Sequence, residues 1–182
     1  DNAAKLYSAA SNKKDTRVFR FYCELKEQVQ SELLQEALDQ TLETFPTFLM
    51  VLRKGLFWHY LEPCNLRPVV KEEYKEPCSR LYIRDKKTLL FEVTYYQKRI
   101  NFEVFHVLTD GMGGINFLRE LTYQYLRLVH PELAEKEGNK LSGDTSLSRE
   151  DSFVRNYRSS KPSGFNKEKA YLIKEDKLPA GE

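Results

Sequence analysis

The stretch from Ile100 to Leu121 constrains the fold more than any other part of the chain, because its hydrophobic period changes within it. The segment INFEVF alternates apolar and polar side chains, which is typical of a β-strand. Three glycines follow in DGMGG, and from Gly114 onward apolar residues recur at helical spacing as far as Pro131. The sequence therefore predicts a strand, a tight glycine turn and an amphipathic helix, with His106 at the junction.

Further strands and a second helix are predicted before this junction. RVFRFYCELKE alternates like a strand, and SELLQEALDQTLETFP has an apolar helical stripe with Ser31 as the expected N-cap. TFLMVLRKGLFWHYLEP and TLLFEVTYYQKRINFEVF each predict a hairpin, and an irregular, proline-containing connection separates them. This order indicates an α/β fold, more narrowly a two-layer α+β sandwich with a mixed or antiparallel sheet and amphipathic helices.

Two local patterns in these segments favour ordinary structural roles. The charge run KEEYKE, residues 71–76, is typical of a solvated surface. The aromatic residues of the two hairpins could line an apolar channel, but aromatic side chains at strand spacing more often pack in a core, so we assign them no site role. These residues are Phe57, Trp58, Tyr60, Tyr95 and Tyr96.

Composition excludes several classes of protein. The 182 residues fit about one domain, and 29 basic against 27 acidic residues give no electrostatic footprint of a nucleic-acid binder. No apolar run approaches the roughly 20 residues of a membrane span, and the polar N-terminus lacks a signal peptide, so we expect a cytoplasmic protein. The three cysteines are expected to be reduced structural thiols, and His59 and His130 lie in unrelated segments, so no metal site is predicted.

Two interpretations of His106 follow from its neighbours. It shares a strand face with Phe102 and Val104, which favours a core histidine bonded to a backbone carbonyl. A strand end beside a glycine turn and an acid is also where a scaffold presents a base to a cleft, since neutral imidazole accepts a proton from an alcohol, amine or thiol. Amides of the glycine turn would then donate to an oxyanion. Asp110 could orient the imidazole, but we favour an arginine-bound role that fixes the turn.

The segment HVLTDG, residues 106–111, resembles the HxxxDG signature of the coenzyme A-dependent acyltransferase superfamily. That superfamily includes chloramphenicol acetyltransferase, peptide-synthetase condensation domains and alcohol acetyltransferases. NAAKLYSAA, LLQEALDQTLETFPTF, RKGLFWHYLE, EPCSRL and HVLTDGMGGINFLRELTYQYL together resemble the alcohol acetyltransferases of Gram-positive bacteria, over nearly the whole chain. The resemblance implies that His106 is the general base, that Asp110 maintains the site and that Gly111 keeps the turn open beside a substrate channel.

The resemblance further implies transfer of an acyl group from acyl-CoA, such as acetyl-CoA, to a small alcohol or amine. It implies no permanently bound cofactor, and it assigns no residue to coenzyme A. The family fold has two similar halves, and the chain has no counterpart of the second, with its DFGWG-like segment. We expect residues 1–134 to form the N-terminal half-domain and residues 135–182 a polar linker and extended crossover toward a missing C-terminal half. Alone, this half should have little or no turnover.

Two other functions stay open. The DGMGG turn before a helix could bind a phosphate or nucleotide through its backbone amides, although it lacks the Gly-Lys-Ser/Thr ending of a P-loop and Asp110 would repel a phosphate. A noncatalytic interaction protein with the same fold is the second alternative, since a fold does not determine a function.

Overall fold

The computed structural model describes residues 16–134 apart from residues 57, 84 and 85. The linker and crossover predicted for residues 135–182 lie outside this part of the chain. Within it, six strands, three α-helices and one 3₁₀ turn follow one another. They are β1 (Val18–Glu24), α1 (Ser31–Thr44), the 3₁₀ turn (Pro46–Phe48), β2 (Met50–Lys54), β3 (His59–Pro63), β4 (Lys71–Glu72), β5 (Phe91–Tyr96), β6 (Arg99–Phe105), α2 (Gly111–Val129) and α3 (Pro131–Ala134).

A four-stranded mixed sheet is the frame of the fold. Its strand order is β1-β6-β5-β4; β1 and β5 run antiparallel to β6, and β4 runs parallel to β5. Strands β2 and β3 form a separate antiparallel hairpin. Helices α1 and α2 pack against one face of the four-stranded sheet through their apolar stripes. This arrangement confirms the predicted α/β class, with a mixed sheet and amphipathic helices in two layers.

Helix α1 begins where the sequence predicts, but the hydrogen bonding at its N-terminus differs from the expected capping by Ser31. Gln30, not Ser31, is the N-cap residue, and it makes no side-chain capping bond. The backbone N–H of Gln30 donates instead to the hydroxyl oxygen of Tyr125 on α2, at 2.9 Å. Tyr125 is buried, and this burial raises the pKa of its hydroxyl. A residue of α2 therefore accepts a hydrogen bond at the N-terminus of α1.

Phenylalanine rings form the centre of the core between the sheet and the helices. Phe117 of α2 stacks on Phe48 with ring centroids 4.4 Å apart and on Phe102 of β6 at 4.7 Å. Phe45 and Phe91 approach the same ring at 5.5 and 5.6 Å. Because Phe117 is a fully buried residue of α2 that touches both the sheet and the 3₁₀ turn, it joins both layers of the fold.

The opposite face of the sheet is covered by the polar segment between the two hairpins. Arg20 of β1 donates to Glu103 of β6 at 2.8 Å and to Glu73 at 2.6 Å, and Arg99 donates to the second oxygen of Glu73 at 2.7 Å. Burial disfavours the charged form of Glu73, but the hydrogen bonds from the two arginines outweigh it and lower its pKa. The prediction of a solvated surface for KEEYKE is therefore wrong at Glu73.

The aromatic residues of the hairpins also differ from expectation. Trp58, Tyr60 and Tyr96 are exposed, so the core interpretation is wrong for these three side chains. Tyr95 packs against the core as expected. For Trp58 and Tyr60 the difference arises because β2 and β3 pair only with each other among the described strands, so no further strand extends this hairpin. Tyr96 is the last residue of β5, at the turn to β6.

Replacing Phe117 with alanine tests the central place of this ring. Phe117→Ala should lower the free energy of unfolding by about 3–5 kcal/mol, because it removes a buried ring and leaves a cavity among four other aromatic side chains. Leu126→Ala on the same helix is the matched control, since Leu126 is exposed and its loss should cost under about 0.5 kcal/mol. Urea unfolding followed by circular dichroism measures both, and equal losses would contradict the assignment.

Candidate active site

His106 lies directly after the C-terminal end of β6, with its side chain half-buried. Its imidazole meets the ring of Phe19 on β1 edge to face, with centroids 5.2 Å apart and an interplanar angle of 68°. Its backbone N–H donates to the carbonyl oxygen of Arg17 at 2.9 Å. The preceding residue on the same face, Val104, is fully buried. The apolar face of β6 therefore lies in the core. His106, directly after the strand, keeps part of its imidazole accessible.

Two strained backbone positions support this strand end. Arg17 and Cys78 have φ angles of +56° and +59°, a region that costs a non-glycine residue about 1–3 kcal/mol. The hydroxyl of Thr16 donates to the carbonyl oxygen of Cys78 at 2.7 Å, and the N–H of Cys78 donates to Glu103 Oε1 at 2.7 Å. Together with the His106–Arg17 bond, these contacts tie both strained residues to the last part of β6. They hold the backbone of His106 in place.

Sequence reasoning missed these supports. Thr16 and Cys78 are separated by 62 residues, and neither Arg17 nor Cys78 is a residue type that signals a positive φ. In the sequence Glu103 falls with Asn101 on the polar positions of an alternating strand, so the pattern does not show that it is buried. The structure buries this carboxylate, and a buried carboxylate needs donors.

Asp110 is the N-cap of α2. Its Oδ1 accepts from the N–H of Gly113 at 2.8 Å, and its backbone carbonyl accepts from the N–H of Gly114 at 3.0 Å. Asp110 thereby fixes the glycine turn through the helix terminus. No arginine pairs with Asp110 among residues 16–134, leaving aside the three that are not described. The arginine partner stays a prediction.

The glycines of the turn have different surroundings. At Gly111, the first residue of α2, an added Cβ would meet nothing within 4 Å. At Gly114 an added Cβ would lie 2.9 Å from Phe21 Cε2 and 3.2 Å from Phe19 Cε2, so only glycine lets α2 approach β1 this closely. Since Phe19 also touches His106, the contact at Gly114 sets the start of α2 beside the imidazole.

The amides of the turn are less available than the sequence suggested. The N–H groups of Gly113 and Gly114 are bonded to Asp110, so they are not free to donate to an oxyanion. The same carboxylate stands where a phosphate would bind at the helix N-terminus. This observation weighs against the phosphate or nucleotide interpretation of DGMGG, and it corrects the expectation that these two amides form an oxyanion hole.

The other histidines do not join His106 in a common site. His130 is the C-cap of α2, at the far end of a helix of 19 residues from Gly111, and His59 begins β3. In the part of the chain that the structure describes, no group of three or more His, Cys, Asp or Glu side chains could hold a metal ion.

Two solved structures have the same fold. Polyketide synthase associated protein 5 from Mycobacterium tuberculosis has a TM-score of 0.53 at 17% identity, over 72% of this chain and 33% of that one. The starter condensation domain of rhizomide synthetase RzmA has a TM-score of 0.52 at 12% identity, over 64% and 33%. No protein-family model and no curated protein matches the sequence. The chain spans about a third of the length of these structures and shares the fold of that part.

Replacing Asp110 separates its capping bond from its charge. Asp110→Ala should lower the free energy of unfolding by about 0.5–2 kcal/mol, because the N–H of Gly113 loses its partner. Asp110→Asn keeps an acceptor oxygen at the N-cap and should stay within about 0.5 kcal/mol of the parent protein. Denaturant titration gives both values, and an alanine variant as stable as the parent would show that the cap does not fix the turn.

Gly111 and Gly114, two of the three glycines in α2, should respond oppositely to alanine. Gly114→Ala should lower the free energy of unfolding by about 1 kcal/mol or more, since the clash with Phe21 and Phe19 exceeds the helix propensity gained. Gly111→Ala fits open space and should leave stability unchanged or slightly raised. Thermal unfolding of the two variants measures the contrast. A stable Gly114→Ala variant would mean that α2 does not depend on this close approach.

Proposed function

We propose that the protein to which this chain belongs is an acyltransferase that moves an acyl group from acyl-CoA to an alcohol, amine or thiol. The observation that carries the proposal is the position of His106 at the end of the central strand, half-buried and with a fixed backbone, in a chain with this fold. An alcohol acetyltransferase using acetyl-CoA is the specific form that the sequence resemblance favours.

His106 acts as the general base in this reaction. Its imidazole takes the proton of the acceptor hydroxyl, whose oxygen attacks the thioester carbonyl of acyl-CoA. The new carbon–oxygen bond forms, the carbon–sulfur bond breaks, and the imidazolium returns the proton to the leaving coenzyme A thiolate. Acyl-CoA is a co-substrate and not a resident cofactor.

Asp110 and Gly111 act on the shape of the site. Asp110 holds the start of α2 through its bond to Gly113, and Gly111 leaves open space at the first helical position. A side chain of ordinary size at Gly111 would reduce the room for substrate without straining the fold. The role of Asp110 is therefore structural, and the role of Gly111 is to keep a channel open.

The chain supplies only the first part of the reacting site. The chain spans about a third of the structures that it matches. In this proposal the rest of the fold, with most of the coenzyme A-binding surface, lies in a longer bacterial protein. The free thiols of Cys23, Cys64 and Cys78 fit a reaction in the cytoplasm. Residues 1–182 alone should fold and have little or no turnover.

Coenzyme A release from acetyl-CoA, with a panel of alcohols as acceptors, tests the proposal on the longer protein. His106→Ala should lower the rate by at least about a hundredfold, because it removes the general base. His130→Ala is the matched control and should leave the rate unchanged, since His130 caps the opposite end of α2. Equal release by the parent protein and His106→Ala would overturn the catalytic role. A folded protein inert toward every acceptor would favour the noncatalytic alternative.

A further inference from the structure

The β2–β3 hairpin ends in apolar side chains that stand in solvent. Leu56 is 89% exposed, Trp58 is 53% exposed and Tyr60 is 41% exposed. We call these three residues, with Lys54, the hairpin tip. Single exposed apolar residues are ordinary on a protein surface, but several on one turn mark a surface that contacts another phase or another molecule.

The described residues of the hairpin tip are held by local contacts. The N–H of Gly55 donates to the carbonyl oxygen of Trp58 at 2.7 Å, and the indole lies over Gly55, with Nε1 3.4 Å from where a Cβ would be. In the middle of the hairpin, Leu52 and Leu61 face each other and pack with Phe105 of β6. The hairpin is therefore anchored on the sheet and presents Leu56 and Trp58 outward.

The charge around the hairpin tip is positive. No acidic residue occurs between Glu43 and Glu62 in the sequence, and Glu62 is paired with Arg53 at 2.9 Å. Lys54 is exposed, and no carboxylate pairs with it in the part of the chain that the structure describes. An anionic surface would therefore contact the ammonium group of Lys54, which pairs with no described carboxylate, beside the exposed Leu56.

From this combination we infer that the hairpin tip binds the surface of an anionic lipid bilayer. Leu56 enters the boundary of the acyl chains, Trp58 and Tyr60 lie at the level of the headgroups, and Lys54 meets their phosphates. The three apolar side chains offer at most a few hundred Å² of surface area for contact. A stable protein–protein interface buries about 800 Å² on each partner, so this surface is too small for one. The contact is peripheral, because no described helix is long and apolar enough to cross a bilayer. It does not depend on the proposed acyl transfer.

Trp58 is the only tryptophan among residues 1–182, so the fluorescence of this chain reports directly on the hairpin tip. Adding phosphatidylcholine vesicles that contain phosphatidylglycerol should shift the emission to shorter wavelength, and the protein should sediment with the vesicles. Vesicles of phosphatidylcholine alone should give weaker signals, because Lys54 then meets no anionic surface. Added salt should also weaken both signals, because it screens Lys54 from the anionic lipids. The absence of a shift and of sedimentation with the anionic vesicles would overturn the inference.

Substitutions that keep the tryptophan assign the binding to this surface. Lys54→Glu and Leu56→Ser should each weaken vesicle binding by about tenfold or more, through lost electrostatic attraction and lost apolar burial respectively. Val69→Ser is the matched control, since Val69 is 57% exposed in the segment between the hairpins, and it should bind like the parent. Equal weakening in all three variants would overturn the inference. An emission shift that grows with protein concentration without lipid would indicate self-association instead.

Discussion

The pairing of strand β6 on both edges is the constraint on which the rest of the structure depends. β1 and β5 flank it, Phe102 faces the aromatic core, and Glu103 faces the polar cover. A shift of one residue in its register would move the apolar set out of the core and bring the carboxylate into it, so the register is strongly specified. His106 follows this strand directly, and its position is therefore determined by the packing of the whole domain.

The two faces of the sheet both contribute to the candidate site. On the polar face, the donors to Glu103 Oε1 include the N–H of Cys78, and the carbonyl oxygen of Cys78 accepts from Thr16, next to Arg17. On the helical face, the absence of a side chain at Gly114 brings α2 against β1. Strained positions persist only where their surroundings determine them. Here the strained Arg17 is bonded to the backbone of His106, and Gly114 packs on Phe19, which touches the imidazole. This concentration of support is what a base must have if it is to be held in a productive geometry.

Local pattern predicted most of the elements, and long-range contact decided the details. Both hairpins, β6 and α2 followed from hydrophobic period, because burial of one face imposes it. The prediction of an irregular connection between the hairpins was wrong at β4, whose two residues pair with β5. The stretch from Ile100 to Leu121 correctly indicated a strand, a turn and a helix around His106. The bond from Gln30 to Tyr125, the ion pairs of Glu73 and the contact of Thr16 with Cys78 depend on residues far apart in sequence, so no local pattern signals them. The exposure of the hairpin tip likewise depends on which elements cover it.

Chemical rescue tests the central claim, that the imidazole of His106 is the base, most directly. In His106→Gly the side chain is removed and a space is left at the end of β6, which an added imidazole molecule can enter. Coenzyme A release by the longer protein should fall by at least about a hundredfold in this variant and recover in part as imidazole is added. The parent protein should not respond. Release by His106→Gly at the parent rate without imidazole would contradict the account.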